Sequence, residues 1–362
     1  GAGHAGIETA ASLRNLGFSG KIKIENGISA GRSALCWYLR TCLQARCNER
    51  ILAVQNLKSA LDLLTMFSNS LEENPHLVDD QKDGQLKEWR NLLLDIGDRI
   101  SIYQPEQDGL IFPELPVFET LEQERQHRKE RLVAACRAFA LEGFDYGFAG
   151  HLTVRDPEHT DLYWTNPMCV HFDKVKLSNL ILVDHQGKVV QGDYAVNRAG
   201  FVLHANVHEQ HPDIISMCHA HTTYGVAWCA TGRPIDPVTQ DACAFFEDHV
   251  VIGEQGGQVA VENHAGSDVA KAFTGVKAAL HQNHGLLTAS RHSIEAAAFW
   301  FIALERCCQQ QLDIAASGVE PIFIPRDRAL YSREHVGSEY IGWLHFQTIW
   351  NKLIEDQPDM FD

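Results

Sequence analysis

Nowhere does this chain run to eighteen consecutive apolar residues, so no segment of it is expected to cross a bilayer as a helix. It also lacks any long basic stretch. Lys and Arg number 31 against 47 Asp and Glu, a net charge of -16. That balance excludes the cationic surface that nucleic acid requires. No two of its ten cysteines form a CxxC pair, which argues against a zinc ribbon or a dithiol redox site. Several sit inside apolar runs, and the set reads as free buried thiols in a reducing compartment, with the cytoplasm as the expected location. Residues Gly1 to Ile7 carry neither the charged leader nor the apolar core of a secretory signal. No internal repeat is visible. What remains is ordinary for a globular protein, and 362 residues suffice for one large domain with an appendage, or for two domains.

The opening residues, Gly1-Ala2-Gly3-His4-Ala5-Gly6, fit GxGxxG and lead into a helix-like run, Ile7 to Leu16. Glu25 lies at about the distance at which a dinucleotide fold places its ribose-binding acid. The segment 1–30 resembles the start of flavoprotein pyridine-nucleotide disulfide reductases. The strand that should precede the first glycine is absent, however, and no second nucleotide half follows. The segment therefore reads as a truncated fingerprint. Residues 31–103 predict a helical appendage: Ile51, Val54, Leu57, Leu61 and Leu64 recur at helical spacing, as do Leu86, Trp89, Leu93, Ile96 and Ile100. Residues 104–119, rich in proline, read as a linker.

A main domain is expected over 120–325, with 326–362 as a C-terminal tail. Thr120-Leu121-Glu122-Gln123 fits a capping box at the head of a helix, and Gly143 supplies its stop. Strands are expected at His151–Val154, Leu162–Thr165, Leu180–Val183, Lys188–Val190, Ile214–His219 and Lys277–His281. Helices are expected at Ala199–Glu209 and Ser293–Ala316. Helices alternating with strands predict an α/β domain around one mixed sheet.

The chemistry concentrates in histidine. In His219-Ala220-His221 the two imidazoles at i and i+2 share one face of a strand. A third from His284-Gly285 would complete three neutral donors with positions left open, the pattern of a catalytic rather than a closed metal site.

Three separated motifs carry a second resemblance. Gly150-His151-Leu152-Thr153-Val154-Arg155, the run from Asn197-Arg198-Ala199-Gly200 through His204 to His219-Ala220-His221-Thr222, and Gln282-Asn283-His284-Gly285-Leu286-Leu287-Thr288 stand in the order of the class II aldolase/adducin family. The resemblance spans about residues 120–315. It implies a three-layer α/β/α sandwich, a homotetramer, and a divalent metal held by His219, His221 and His284. Zinc is the first expectation, with manganese or iron as alternatives. The ion would stabilise the enediolate formed as a C–C bond breaks or forms.

The departures narrow the activity. Where sugar-phosphate aldolases carry a Glu as general base, this chain has Gly200, which holds no proton. Their phosphate loop T-P-x-G is Asn166-Pro167-Met168-Cys169 here, without the hydroxyl and the glycine, and an amide nest for a phosphate needs that small residue. The expectation is a metal-dependent lyase, a decarboxylase or retro-aldolase, acting on a small non-phosphorylated oxo- or hydroxy-acid. Arg155 is expected to pair with a substrate carboxylate and Tyr224 to act as an acid. Asn197, Asn166 and Gln240 are expected to line the pocket, and Asp248-His249 to add a ligand or to stand behind one. His151, His204 and His281 read as polar core or surface. The alternative is an adducin-like protein without catalysis, which the loss of the base at Gly200 favours and the intact histidine set opposes.

Overall fold

The computed structural model describes residues 109–253 and 269–362, together with Tyr103, Pro105 and Gly257. The truncated fingerprint at 1–30 and nearly all of the helical appendage lie outside the described residues. Pro116–Asp362 forms one compact unit.

Its first helix, α1 (Leu121–Leu141), starts where the capping box predicts. The Thr120 hydroxyl accepts from the Gln123 amide, and the helix ends before Gly143, whose φ of 76° suits the left-handed turn. From Leu132 to Phe139 every side chain of α1 is buried. Four antiparallel strands follow, β1 (Gly150–Arg155), β2 (Leu162–Thr165), β3 (Ile181–Asp184) and β4 (Val189–Gln191). Helix α2 (Arg198–Gln210) leads into β5 (Ser216–Ala220), then the short helices α3 (Thr223–Cys229) and α4 (Gln240–Cys243). The sheet is completed by β6 (His249–Ile252), β7 (Ala278–His281) and β8 (Gly285–Ser290). Helices α5 (Ile294–Ser317), α6 (Arg326–Val336) and α7 (Glu339–Asp356) follow.

The eight strands form one sheet in the order β4-β3-β2-β1-β5-β8-β7-β6, antiparallel except for β6 beside β7. Side chains alternate across it. Leu152, Val154, Cys218, Ala220, Leu280 and Leu286 pack with α1, α3, α5 and α7. Met217, Leu287, Ala289 and Ala279 pack on the other face with Leu203 and Val207 of α2, while Tyr163 and Val183 meet Phe201 there. The layering is the expected α/β/α sandwich. With both faces covered, β1, β5, β7 and β8 are buried along their whole lengths.

Residues 326–362, expected to be a tail, instead belong to this body. Helix α7, capped by Ser338, buries Tyr340, Ile341, Trp343, Phe346 and Leu353 against α5 and its neighbours. The approach is closest at Gly342, where a Cβ would lie 2.8 Å from the Trp300 ring. Burying each of these large side chains is worth roughly 1.5–3 kcal/mol. Among the described residues no helix is long and apolar enough to cross a membrane.

Candidate metal centre

The central strands β1, β5 and β8 bring the histidines together. Antiparallel pairing sets His151 of β1 directly opposite His219 of β5. His219 points to the α2 side of the sheet, His221 follows just past the strand end, and His284 stands on the turn entering β8. Ligand atoms of His219, His221 and His284 all lie within 4.8 Å of one another. Their ring centroids are 4.9–5.2 Å apart. The three residues singled out from sequence thus form one cluster.

Hydrogen bonds fix how the rings present themselves. Nδ1–H of His219 donates to the Leu286 carbonyl at 2.8 Å, which leaves Nε2 as a bare lone pair. His284 Nδ1 meets His281 Nδ1 at 3.0 Å, and with His284 as donor its Nε2 is free in the same way. His281 is therefore the partner that a ligating histidine requires. From sequence it reads as core or surface, and its only signal is the spacing His281-Gln282-Asn283-His284 around a turn in which Asn283 adopts φ 56°. Burial holds the His219 and His284 imidazoles below the ordinary histidine range. Repulsion from His284, His151 and His221 adds to it for His219, and from His281 and His221 for His284, which lies at about 3. Burial also lowers His221. Three neutral nitrogen donors with no competing proton fit a divalent transition metal.

The residues that follow His221 are anchored to α5. Glu305 of α5 accepts from the Thr222 hydroxyl at 2.5 Å and from the amides of Tyr224 and Gly225 at 2.9 and 2.6 Å. It thus satisfies the N-terminal amides of α3 in place of a local cap.

Beside the triad lies a second histidine set. The His151 and His204 rings lie tilted by 50° with centroids 4.1 Å apart, and the His151 ring lies 5.2 Å from that of His219. Thr153 Oγ1 bridges His204 Nδ1 and His208 Nε2, each at 2.9 Å. Burial keeps His151, His204 and His208 neutral, with repulsion from neighbouring histidines adding to it for the first two and the Arg155 charge adding to it for His208. Helix α2 comes this close because residue 200 has no side chain: a Cβ there would sit 2.5 Å from the His151 ring.

The other expected site residues divide. Asn166 and Asn197 line one small cleft with Gly150 and Cys169. Asn166 accepts from the Leu152 amide at 2.9 Å, while Asn197 caps α2 and donates to the Phe148 carbonyl at 3.2 Å. Arg155 does not reach the site. It stands at the opposite end of β1, where its guanidinium donates to the carbonyls of Ile214, Thr160 and His208. Tyr224 lines a cavity of about 400 Å³ with Glu142, Thr223, Glu305 and Arg306, and none of the three histidines takes part in it. Gln240 is exposed on the first turn of α4, which Thr239 caps. His249 spends both nitrogens, on the Ile235 amide and the Phe245 carbonyl. Asp248 pairs with Lys277 at 2.8 Å. Neither stands behind a ligand.

Cys169 carries a trace of the loop it departs from. It has φ 61°, the left-handed region that glycine occupies without cost. Replacing Cys169 with Gly is expected to relieve about 1 kcal/mol of strain and to raise Tm by roughly 2–4 °C. Thermal melts of the two proteins check this.

Known proteins resemble this chain in sequence and in fold. The model of the Class II Aldolase and Adducin N-terminal domain matches residues 130–312. The chain is 42% identical, over 248 residues, to a "4-hydroxy-3-prenylphenylpyruvate oxygenase/4-hydroxy-3-prenylbenzoate synthase" of Streptomyces roseochromogenus subsp. oscitans, covering 68% of this chain and 88% of that protein. It is 41% identical to "Decarboxylase NovR" of Streptomyces niveus, over 69% of this chain and 92% of the relative. Among solved structures it resembles "L-fuculose 1-phosphate aldolase from Glaciozyma antarctica PI12", with 38% identity, a TM-score of 0.64, and coverage of 69% of this chain and 97% of that one.

Proposed function

This chain belongs to the class II aldolase and adducin family, and on that premise we propose that it is a divalent-metal-dependent decarboxylase of a non-phosphorylated 2-oxo or 2-hydroxy acid. Its standing as an enzyme of the lyase kind follows from the family and from relatives at 41–42% identity named as decarboxylase and synthase. The observation that carries the finer reading is the pairing of an intact three-histidine cluster with Gly200, a position that offers no carboxylate to remove a proton. Loss of CO2 requires no initial deprotonation at carbon. The C–C bond to the carboxylate breaks, its electron pair remains on the carbon that carried the carboxylate, beside that carbon's oxygen, and a proton is added to the carbon afterwards.

His219, His221 and His284 would hold the ion, and the ion would supply positive charge beside the carbon that keeps those electrons. The bond from His219 to the Leu286 carbonyl and the contact of His284 with His281 keep the rings from turning away. Asn166 and Asn197 are the polar side chains of the neighbouring cleft and would orient the substrate. The arylpyruvate in the name of the Streptomyces roseochromogenus relative supports an aryl 2-oxo acid as the class. The fuculose phosphate for which the Glaciozyma antarctica aldolase is named is opposed here by the loop at Asn166–Cys169, which lacks the family's hydroxyl and glycine. Homotetrameric assembly, an intracellular setting and zinc, manganese or iron as the ion belong to the same proposal.

The test is to load the protein separately with zinc, manganese and ferrous iron. CO2 release is then measured from phenylpyruvate, 4-hydroxyphenylpyruvate and mandelate, and cleavage is measured on fuculose 1-phosphate. Metal-dependent CO2 from an aryl acid, with the sugar phosphate inert, is the expected result. Turnover that stops without dioxygen would make the decarboxylation oxidative, as the word oxygenase in that relative's name suggests. A protein that takes up no metal would overturn the proposal in favour of the adducin-like reading.

A further inference from the structure

The second histidine set has a polarity that can be read from one end. The Ile214 carbonyl can only accept, so His208 Nδ1, at 3.2 Å, donates to it. His208 Nε2 is then an acceptor and takes the Thr153 hydroxyl hydrogen. The Thr153 oxygen in turn accepts from Nδ1–H of His204. Arg155 Nη2 lies farther from His208 Nδ1, at 3.4 Å, and donates instead to the His208 carbonyl at 2.7 Å. With Nδ1–H of His208 given to Ile214, the hydrogens of the row are assigned and His204 Nε2 is left as a bare lone pair.

That atom is buried without a partner, and so is Nε2 of His151. The two rings touch, His204 is fully buried and His151 is 4% exposed. The Nδ1 edge of His151 lies against Gly200, whose backbone is its hydrogen-bonding neighbour. Neither nitrogen finds a donor among the described residues, although buried polar atoms ordinarily have one. The pair adjoins the metal cluster through His219. A group that comes to pair with either nitrogen must therefore bring its own hydrogen.

We propose that His151 contacts the substrate, its Nε2 accepting the hydrogen of a substrate hydroxyl, with His204, Thr153 and His208 as positioning residues and Gly200 as the gap that admits the ring. The inference rests on the metal-dependent reading and deepens it by naming the substrate group recognised beside the metal. It also gives the absence of a side chain at 200 a cause within this chain, since any Cβ there would enter the imidazole.

Mandelate and phenylacetate differ by the hydroxyl in question and serve as probes. Calorimetric affinities for both are measured on metal-loaded wild type, His151→Leu, His151→Asn, Thr153→Val and Gly200→Ala, beside the metal content of each. Chelation of the hydroxyl by the ion contributes equally in all metal-loaded proteins, so the variants isolate the hydrogen bond. The expected result is full metal content throughout. Mandelate affinity falls about tenfold in His151→Leu, a loss typical of one hydrogen bond, while phenylacetate changes less than about twofold. His151→Asn, which retains an acceptor, recovers part of the difference. Thr153→Val and Gly200→Ala, which unseat the ring, reproduce the loss.

An unchanged preference for mandelate in His151→Leu and Gly200→Ala would overturn the proposal. So would loss of metal in His151→Leu, which would make His151 a support of the ion instead. If the wild type itself holds no metal, the metal-dependent reading fails and this one with it, an outcome distinct from failure of the variants alone.

Discussion

His219→Ala is expected to reduce bound metal from about one ion per chain to near zero and to lower kcat/KM by about a thousandfold or more. The charge stabilisation a bound ion supplies is worth several kcal/mol, and about 4 kcal/mol of barrier corresponds to three orders of magnitude. His219 is the best position at which to see this, because it alone of the three is buried within a strand. Its removal also leaves the Leu286 carbonyl without its donor. An unmade buried hydrogen bond costs about 1–3 kcal/mol, so Tm should fall by several degrees while the fold persists. Elemental analysis beside circular dichroism reads both effects. A variant that keeps its metal would remove His219 from the ligand set, and one that unfolds outright would mark it as core.

The second large effect is on acid stability, and it falls on two histidines outside the ligand set. His204 and His208 are fully buried and held well below the ordinary histidine value of 6.5, chiefly by burial. Their folded-state pKa values are depressed, so below pH 6.5 the unfolded chain binds protons that the folded one refuses. The stability they contribute is present above pH 6.5 and is lost progressively as pH falls toward the folded values. Each depressed group loses about 1.4 kcal/mol per pH unit. Stability should therefore fall as pH is lowered from 6.5 to 5, against the roughly 5–15 kcal/mol typical of a domain. Urea unfolding midpoints across that range measure it directly. In His208→Asn, whose side chain does not titrate, the slope should be shallower by that one residue's share, up to about 1.4 kcal/mol per pH unit. A flat profile in the wild type would show that the two imidazoles are not kept neutral.

Much of this is open to the sequence, and the exceptions share a cause. Thr120 and Ser293 announce α1 and α5 because a cap is a local interaction, readable within four residues. Strands β6 and β8 escape a reading by pattern. His249–Ile252 has four residues and no alternation, and Gly285–Ser290 is buried on both faces and so shows no period. Helix α7 reads as a tail because its partner, α5, lies tens of residues away. In the site, the i, i+2 spacing finds His219 and His221, and the family resemblance supplies His284. Arg155 misleads for a definite reason. Alternation along β1 says which face a side chain takes but not which end of the strand the site adjoins. The roles of His281, His151 and His204 depend on register and on the seating of α2, neither of which any local pattern encodes.

Gly200 and His151 also constrain how this sequence can change. With the imidazole in place, a mutation that gives residue 200 any side chain brings its Cβ to 2.5 Å from ring atoms. Trimming His151 first would open a void in a closely packed interior, at a cost that grows with the volume vacated. Each single step in either order therefore passes through a damaged intermediate. A lineage carrying this pair can drift freely elsewhere on its surface yet stays locked at these two codons, so they should be inherited together as one character.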